Sequence, residues 1–137
     1  MAYWLVKSEP SSYSWEQMLK DGRTFWSGVR NFQASSNLKK MKSGDRAFFY
    51  HSGEQKAVVG TVEIVKEYYP DHTDETGKFG MVDVKAGTPL KTPVTLAAIK
   101  AEPKLKGLPL IKQSRLSVQP VDDASWKLIC SMGGIKP

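Results

Sequence analysis

The chain of 137 residues and 15.3 kDa has the size of one domain, and residues 1–137 read as a single domain with no linker. Its one cysteine, Cys130, excludes an internal disulfide and any multi-cysteine metal site, and its apolar runs fall far short of the ~20 residues that a membrane helix needs. Twenty Lys and Arg against fourteen Asp and Glu give a net charge of +6 and a pI near 9.4, a balance that favours polyanionic partners and no membrane.

Ala2 to Val6 reads as an apolar opening strand that stops at Lys7-Ser8-Glu9-Pro10, since Pro10 has no N–H for a central ladder. Ser14-Trp15-Glu16-Gln17 has the form of a capping box, and Gly22 closes the short helix it starts. Thr24-Phe25-Trp26 is extended and Gly28 marks a turn. Asn31 to Met41 carries Phe32, Leu38 and Met41 on a thin helical stripe that Ser43-Gly44-Asp45 ends. Arg46 to His51 and Ala57 to Tyr68 are strands joined through Ser52-Gly53-Glu54-Gln55, the best hairpin signal in the chain. Alternation in the second of these predicts one well-buried face and one mixed face, with Gly60 where something packs close to backbone.

Tyr68 to His72 leaves the strand, and an exposed loop is expected as far as Gly77. Gly80 to Ala86 is a strand, with Leu90 to Val94 an extension that Pro93 interrupts. Thr95 caps a helix through Ala101 that Pro103 ends. Leu116 to Val121 is the last strand, and Asp122 or Asp123 caps a final helix bearing Trp126, Ile129 and Cys130, closed by Gly133-Gly134. About six strands with short helices placed irregularly between them argue against a doubly wound parallel sheet. They predict a mixed α/β fold with a curved, barrel-like sheet.

The chain has no nucleophile elbow, no phosphate-binding loop, no dinucleotide fingerprint and no His-Glu-x-x-His. His51 and His72 are the only histidines, too little for a metal centre, and no cofactor is expected. The segment richest in recognition chemistry is Trp26-Ser27-Gly28-Val29-Arg30-Asn31-Phe32-Gln33-Ala34. Trp26 fits either a core position or a platform on which a base stacks. The amides of Asn31 and Gln33 match a base edge, although Asn31 equally suits a helix N-cap, and Lys7 with Glu9 equally suits a surface ion pair.

Together these segments resemble the EVE domain, a member of the PUA-like superfamily. The resemblance rests on Tyr3-Trp4-Leu5-Val6-Lys7-Ser8-Glu9-Pro10, Trp26-x-Gly28-Val29-Arg30-Asn31-x-Gln33-Ala34, Gly44-Asp45 with Phe48-Phe49-Tyr50-His51-Ser52, Tyr69-Pro70-Asp71, Met81-Val82-Asp83-Val84 and Arg115-Leu116-Ser117-Val118-Gln119-Pro120-Val121. It spans nearly the whole chain. One departure is Ser35, which stands where the family pattern has Arg; if that Arg holds a phosphate in the family, this chain holds it less well or uses Lys39 or Lys40.

The EVE domain is similar to the YTH domain, a reader of N6-methyladenine in RNA whose aromatic cage grips the base, and family members are implicated in binding modified bases, including modified cytosines. The resemblance therefore implies a PUA-like pseudo-barrel that reads a modified base, flipped or single-stranded, in DNA or RNA. It implies that Trp26 and Tyr69 sandwich the base, that Ser8, Ser27 and Asn31 read its edge, and that Glu9 and His51 line the pocket. Arg30 would hold phosphate, and Lys7, Gln33, Tyr50 and Asp71 complete the binding set.

Two rivals come from other classes. Relatives called ASCH domains include amidohydrolases on modified nucleosides that use a Lys, a hydroxyl and a Glu, types offered by Lys7, Ser8 and Glu9. Consecutive strand residues point to opposite faces, so these three share a pocket only if the strand ends there. The other rival is a pocket for a free small ligand. A non-catalytic, monomeric module in the cytoplasm, or the nucleus of a eukaryotic cell, is the expectation.

Overall fold

The computed structural model describes residues 1–137. The fold is mixed α/β, with one six-stranded sheet in the order β2-β5-β4-β3-β1-β6. Its strands are β1 (Tyr3–Ser8), β2 (Arg23–Phe25), β3 (Arg46–His51), β4 (Ala57–Pro70), β5 (Gly80–Thr95) and β6 (Val118–Val121). The helices are α1 (Trp15–Asp21), α2 (Phe32–Lys40), α3 (Leu96–Ala101), α4 (Pro109–Lys112) and α5 (Asp123–Met132), with a 3-10 turn at Pro103–Leu105. Only β1 and β3 pair in parallel.

The central strands are buried on both faces, which is why β3 reads as an unbroken apolar run rather than an alternation. On one face Trp4 and Val6 of β1, Phe49 of β3, Ile64 of β4 and Val82 and Val84 of β5 meet Trp15 and Met18 of α1 and Leu38 of α2. On the other face Leu5, Phe48 and Tyr50 meet Ile99 of α3 and Trp126 and Ile129 of α5. There Trp126 stacks on Phe48 at 3.9 Å and on Tyr3 at 4.3 Å. The helices are capped as the sequence predicts, by Ser14, Asn31, Thr95 and Asp122.

The structure departs from the sequence reading at five places. β4 runs on to Pro70, because Tyr69 and Pro70 pair with Met81 and Gly80, so Tyr69 lies in a strand and not in a loop. Val59 and Thr61 are as buried as their neighbours, so the mixed face of β4 begins only at Glu63. Pro93 does not interrupt β5, since it falls where the β4–β5 register slips between Val58↔Val94 and Gly60↔Pro89 and no regular ladder bond is lost. Phe32 is 70% exposed instead of packing under α2, and leans on Phe79 at 5.0 Å. The helix α4, opened by Pro109, has too few residues for a periodic signal.

Gly60 does mark a close approach. A Cβ built there would lie 2.2 Å from Cζ2 of the Trp15 indole, a rigid ring already packed edge-on to Phe49 at 5.2 Å. Gly60→Ala is therefore expected to lower stability by about 1–3 kcal/mol through overpacking. Gly107→Ala, where nothing lies within 4 Å, is expected to be near neutral. Urea denaturation of the two variants checks the difference.

Candidate functional site

A cavity of about 520 Å³ opens where the end of β1 meets the end of β2. Lys7 and Ser8 enter it from the last two residues of β1, and Glu9, Ser12 and Tyr13 from the loop that follows. Thr24 and Phe25 come from β2, and Trp26 and Ser27 from the turn after it. Its size falls within the ~300–1,000 Å³ typical of small-ligand sites. Because β1 stops at Ser8, pleat alternation ends there, and Lys7, Ser8 and Glu9 all line one cavity.

Trp26 forms part of the core as well as the cavity wall. It is 8% exposed, stands edge-on to Phe49 at 5.5 Å and to Tyr13 at 6.4 Å, and donates its backbone N–H to Val82 O at 2.7 Å. The Tyr13 hydroxyl donates to Asp21 at 2.7 Å; burial, and then the Asp21 carboxylate, push its pKa to about 12, so it stays a neutral donor. Ser8 Oγ donates to the Tyr13 carbonyl at 2.5 Å. Lys7 Nζ donates to Ser114 O at 2.7 Å, and burial lowers its pKa. Glu9 lies against the β3–β4 turn, where a Cβ on Gly53 would come within 2.6 Å of its carboxylate.

The turn that carries Trp26 and Ser27 is fixed from below by Asp71. One carboxylate oxygen accepts from Gly28 N at 2.8 Å and Arg30 Nη1 at 3.0 Å, the other from Thr73 N at 2.7 Å and Thr73 Oγ1 at 2.6 Å. Burial alone would raise the Asp71 pKa; the bonds from Thr73, Gly28 and Arg30 outweigh it and hold the carboxyl well below the ordinary range. Gly28 adopts φ 82°, a left-handed conformation that costs glycine little, and so lets its N–H reach the carboxylate.

Of the twelve residues assigned from the sequence, Lys7, Ser8, Glu9, Trp26 and Ser27 line the cavity and seven do not. Val82 and Val84 point into the core, so Asp83 between them points away, and Tyr69 donates its hydroxyl to Asp83 on that far side under Lys66. His51 accepts the Trp15 N–H at Nε2 (2.9 Å) and lies 2.6 Å from Gln55 through Nδ1, which assigns its proton to Nδ1. Tyr50 belongs to the opposite core face, where burial raises its pKa. Arg30 is taken up by Asp71 and by Thr73 Oγ1 at 2.9 Å. Asn31 caps α2 through Ala34 N at 2.9 Å, and with Gln33 lines a neighbouring cleft. Ser35 is buried with its hydroxyl 3.3 Å from that of Tyr68.

Ser12, Tyr13, Thr24 and Phe25 line the cavity and were not singled out from the sequence. Their one local signal is an aromatic side chain in a Ser/Pro-rich loop and another beside Trp26. Asp71→Asn is expected to lose about 3 kcal/mol, the low end for breaking a buried pair because the Arg30 side chain is 38% exposed. A depressed folded-state pKa stabilises fully above the unfolded value of ~3.9, and the contribution is lost progressively as pH falls from there through the folded-state value. The gap between wild type and variant should be full near pH ~7 and close as pH falls below ~4, which denaturant titrations across that range check.

The chain matches the EVE domain over residues 2–132. Thymocyte nuclear protein 1 of Gallus gallus is 36% identical, over 98% of this chain and 70% of its own length. A protein of Rhodopseudomonas palustris solved by NMR is 59% identical with a TM-score of 0.92, over 98% of this chain and 94% of its own. The human THYN1 protein, solved in complex with 5-methylcytosine-containing DNA, is 33% identical with a TM-score of 0.92 over the full length of both chains. The YTH domain of the Zygosaccharomyces rouxii MRB1 protein, at 15% identity and a TM-score of 0.63 over 96% of this chain and 86% of its own, shares the fold. With its sheet, its helices and the cavity all inside the matched span, this chain belongs to the EVE domain family and has its PUA-like mixed α/β fold.

Proposed function

We propose that this chain binds nucleic acid and reads a modified base, single-stranded or flipped, in the cavity walled by Trp26. The observation that carries this reading is the juxtaposition of three aromatic side chains, Trp26, Tyr13 and Phe25, with the small polar groups of Ser8, Ser12, Thr24 and Ser27. Aromatic faces contribute roughly 1–3 kcal/mol per stacked base, and an apolar methyl gains further from such an enclosure. The complex of human THYN1 with 5-methylcytosine DNA supports the same reading for a relative of one-third identity. In this proposal Trp26 is the stacking platform and Tyr13, edge-on to it at 6.4 Å, closes the side of the pocket, while Tyr69 takes no part. Flipping costs a few kcal/mol and is least costly on single strands, which favours those as targets.

The proposed module is not a catalyst. An attacking serine needs a base to take its proton, yet the Ser8 hydroxyl points at the Tyr13 carbonyl and the Lys7 ammonium at the Ser114 carbonyl. Two observations stand on the side of an amidohydrolase: Lys7, Ser8 and Glu9 share one cavity, and burial lowers the Lys7 pKa toward a deprotonated amine.

Short strands bearing 5-methylcytosine or N6-methyladenine are expected to bind more tightly than unmodified ones, and to keep that preference when salt is raised. Equal affinities that vanish together with salt would leave charge as the whole effect. Trp26→Ala should remove the preference and, as a core change, also lower stability by about 3–5 kcal/mol. Leu38→Ala, a core change away from the cavity, should lose stability alone. Turnover of acylated nucleosides by wild type and not by Lys7→Ala would convert the binding module into an enzyme.

A further inference from the structure

A second cleft of about 310 Å³ lies between the start of α2 and the segment joining α4 to β6. Asn31 and Gln33 form one wall, and Lys112, Gln113, Ser114 and Arg115 the other. Its lining holds two cations, three amides, a hydroxyl and no carboxylate. The only ion pairs in the molecule are Arg23–Asp83 and Arg30–Asp71, so Lys112 and Arg115, both exposed, keep their charge unneutralised.

The cleft is built rather than incidental. Gln113 N donates to Pro109 O at 2.7 Å and Leu116 N to Gln113 O at 3.0 Å, and Leu110 and Leu116 anchor the segment in the interior. Asn37 Nδ2 donates to Val118 O at 2.8 Å, tying α2 to β6 and so one wall to the other. Lys7 joins this cleft to the base cavity: it lines the cavity, its Nζ donates to Ser114 O at 2.7 Å, and its backbone N donates to Ser117 O at 2.9 Å. Of the side chains otherwise expected to hold phosphate, Arg30 is engaged by Asp71 and Thr73, Lys39 lies over the Tyr68 ring at 5.5 Å, and Lys40 lines a separate cleft beside Asp45.

We infer that this cleft holds the sugar–phosphate backbone of a single strand next to the base in the cavity, with Lys112 and Arg115 on phosphate and the amides of Gln33 and Gln113 on phosphate or sugar oxygens. The assignment of an adjoining base rests on the reading proposed above. Backbone contacts of this kind fix register and supply affinity, and leave discrimination to the cavity.

The test uses the double variant Lys112→Gln/Arg115→Gln, both changes on exposed side chains, against Lys100→Gln/Lys104→Gln, which removes equal charge elsewhere. The probes are 5-methyldeoxycytidine, its 5′- and 3′-monophosphates, and pentanucleotides with a central 5-methylcytosine or cytosine. The first variant should bind the nucleoside like wild type and the pentanucleotides more weakly. Its slope of log affinity against log salt should fall by about 0.7 per charge, so that a fourfold rise in salt costs wild type roughly sevenfold more affinity than the variant. The control pair should keep the wild-type slope. Wild-type slope and affinity in the first variant, or an equal fall in the control, would overturn the inference. Mononucleotides binding as tightly as pentanucleotides would also overturn it, in favour of a free nucleotide. If wild type does not distinguish modified from unmodified probes, the base-reading proposal fails, while the slope on the unmodified pentanucleotide still decides whether the cleft holds a strand.

Discussion

The cavity depends on a buried negative charge. Asp71 sits below the turn that carries Trp26, and its carboxylate would cost several kcal/mol to bury without partners. Four donors on two segments offset that cost, and the geometry that satisfies them leaves the turn little freedom. Arg30 is one of those donors, so an arginine that by type suits a phosphate serves instead to hold the wall in place. A second buried aspartate plays a similar role on the far side of the sheet's end: Asp45 accepts from Ala2 N, Lys42 N and Trp4 Nε1, each at 3.0 Å.

Above this anchor the cavity rests on Phe49. Its fully buried ring meets Trp26, Tyr13, Trp15 and the His51 imidazole, so a single β3 side chain braces both the cavity and the helix α1 beside it. His51 reinforces the same arrangement by accepting the Trp15 N–H. Trp26 is thus held on its inner edge by the core while its outer side faces the cavity. Under the proposed function, a ring held in this way would lose little freedom on stacking with a base, which favours binding over a ring that must first be ordered.

Much of the fold was legible because its signals are local. Capping residues at Ser14, Asn31, Thr95 and Asp122, and the apolar run of β3, are set by neighbours within a few positions. The site was half legible for the opposite reason. Lys7-Ser8-Glu9 and Trp26-Ser27 converge because a strand ends and a turn follows, events visible at Pro10 and Gly28. Tyr69 was misplaced because its strand continues on the strength of pairing with Met81, a partner twelve residues away that pattern alone does not reveal. Tyr13 went unnoticed because only the tertiary fold brings a loop after β1 against Trp26. Asp71, His51 and Arg30 carry the residue types of a binding site, yet each is spent on partners whose identity no linear spacing encodes.

This division has a consequence for how affinity and selectivity are shared. Most of the basic residues lie on the exposed surface, away from the cavity, whose lining has one cation, Lys7, against one carboxylate, Glu9. Summed charge therefore draws a polyanion to the molecule without preferring any base, and it weakens as salt rises. The cavity contributes little net charge, so what it adds is packing and short-range hydrogen bonding, which salt screens far less. Under the proposed function, a protein arranged in this way approaches any strand through its charge and retains one through its aromatic wall. The Asp71 anchor bears on both, since by engaging Arg30 it keeps that cation out of the cavity lining.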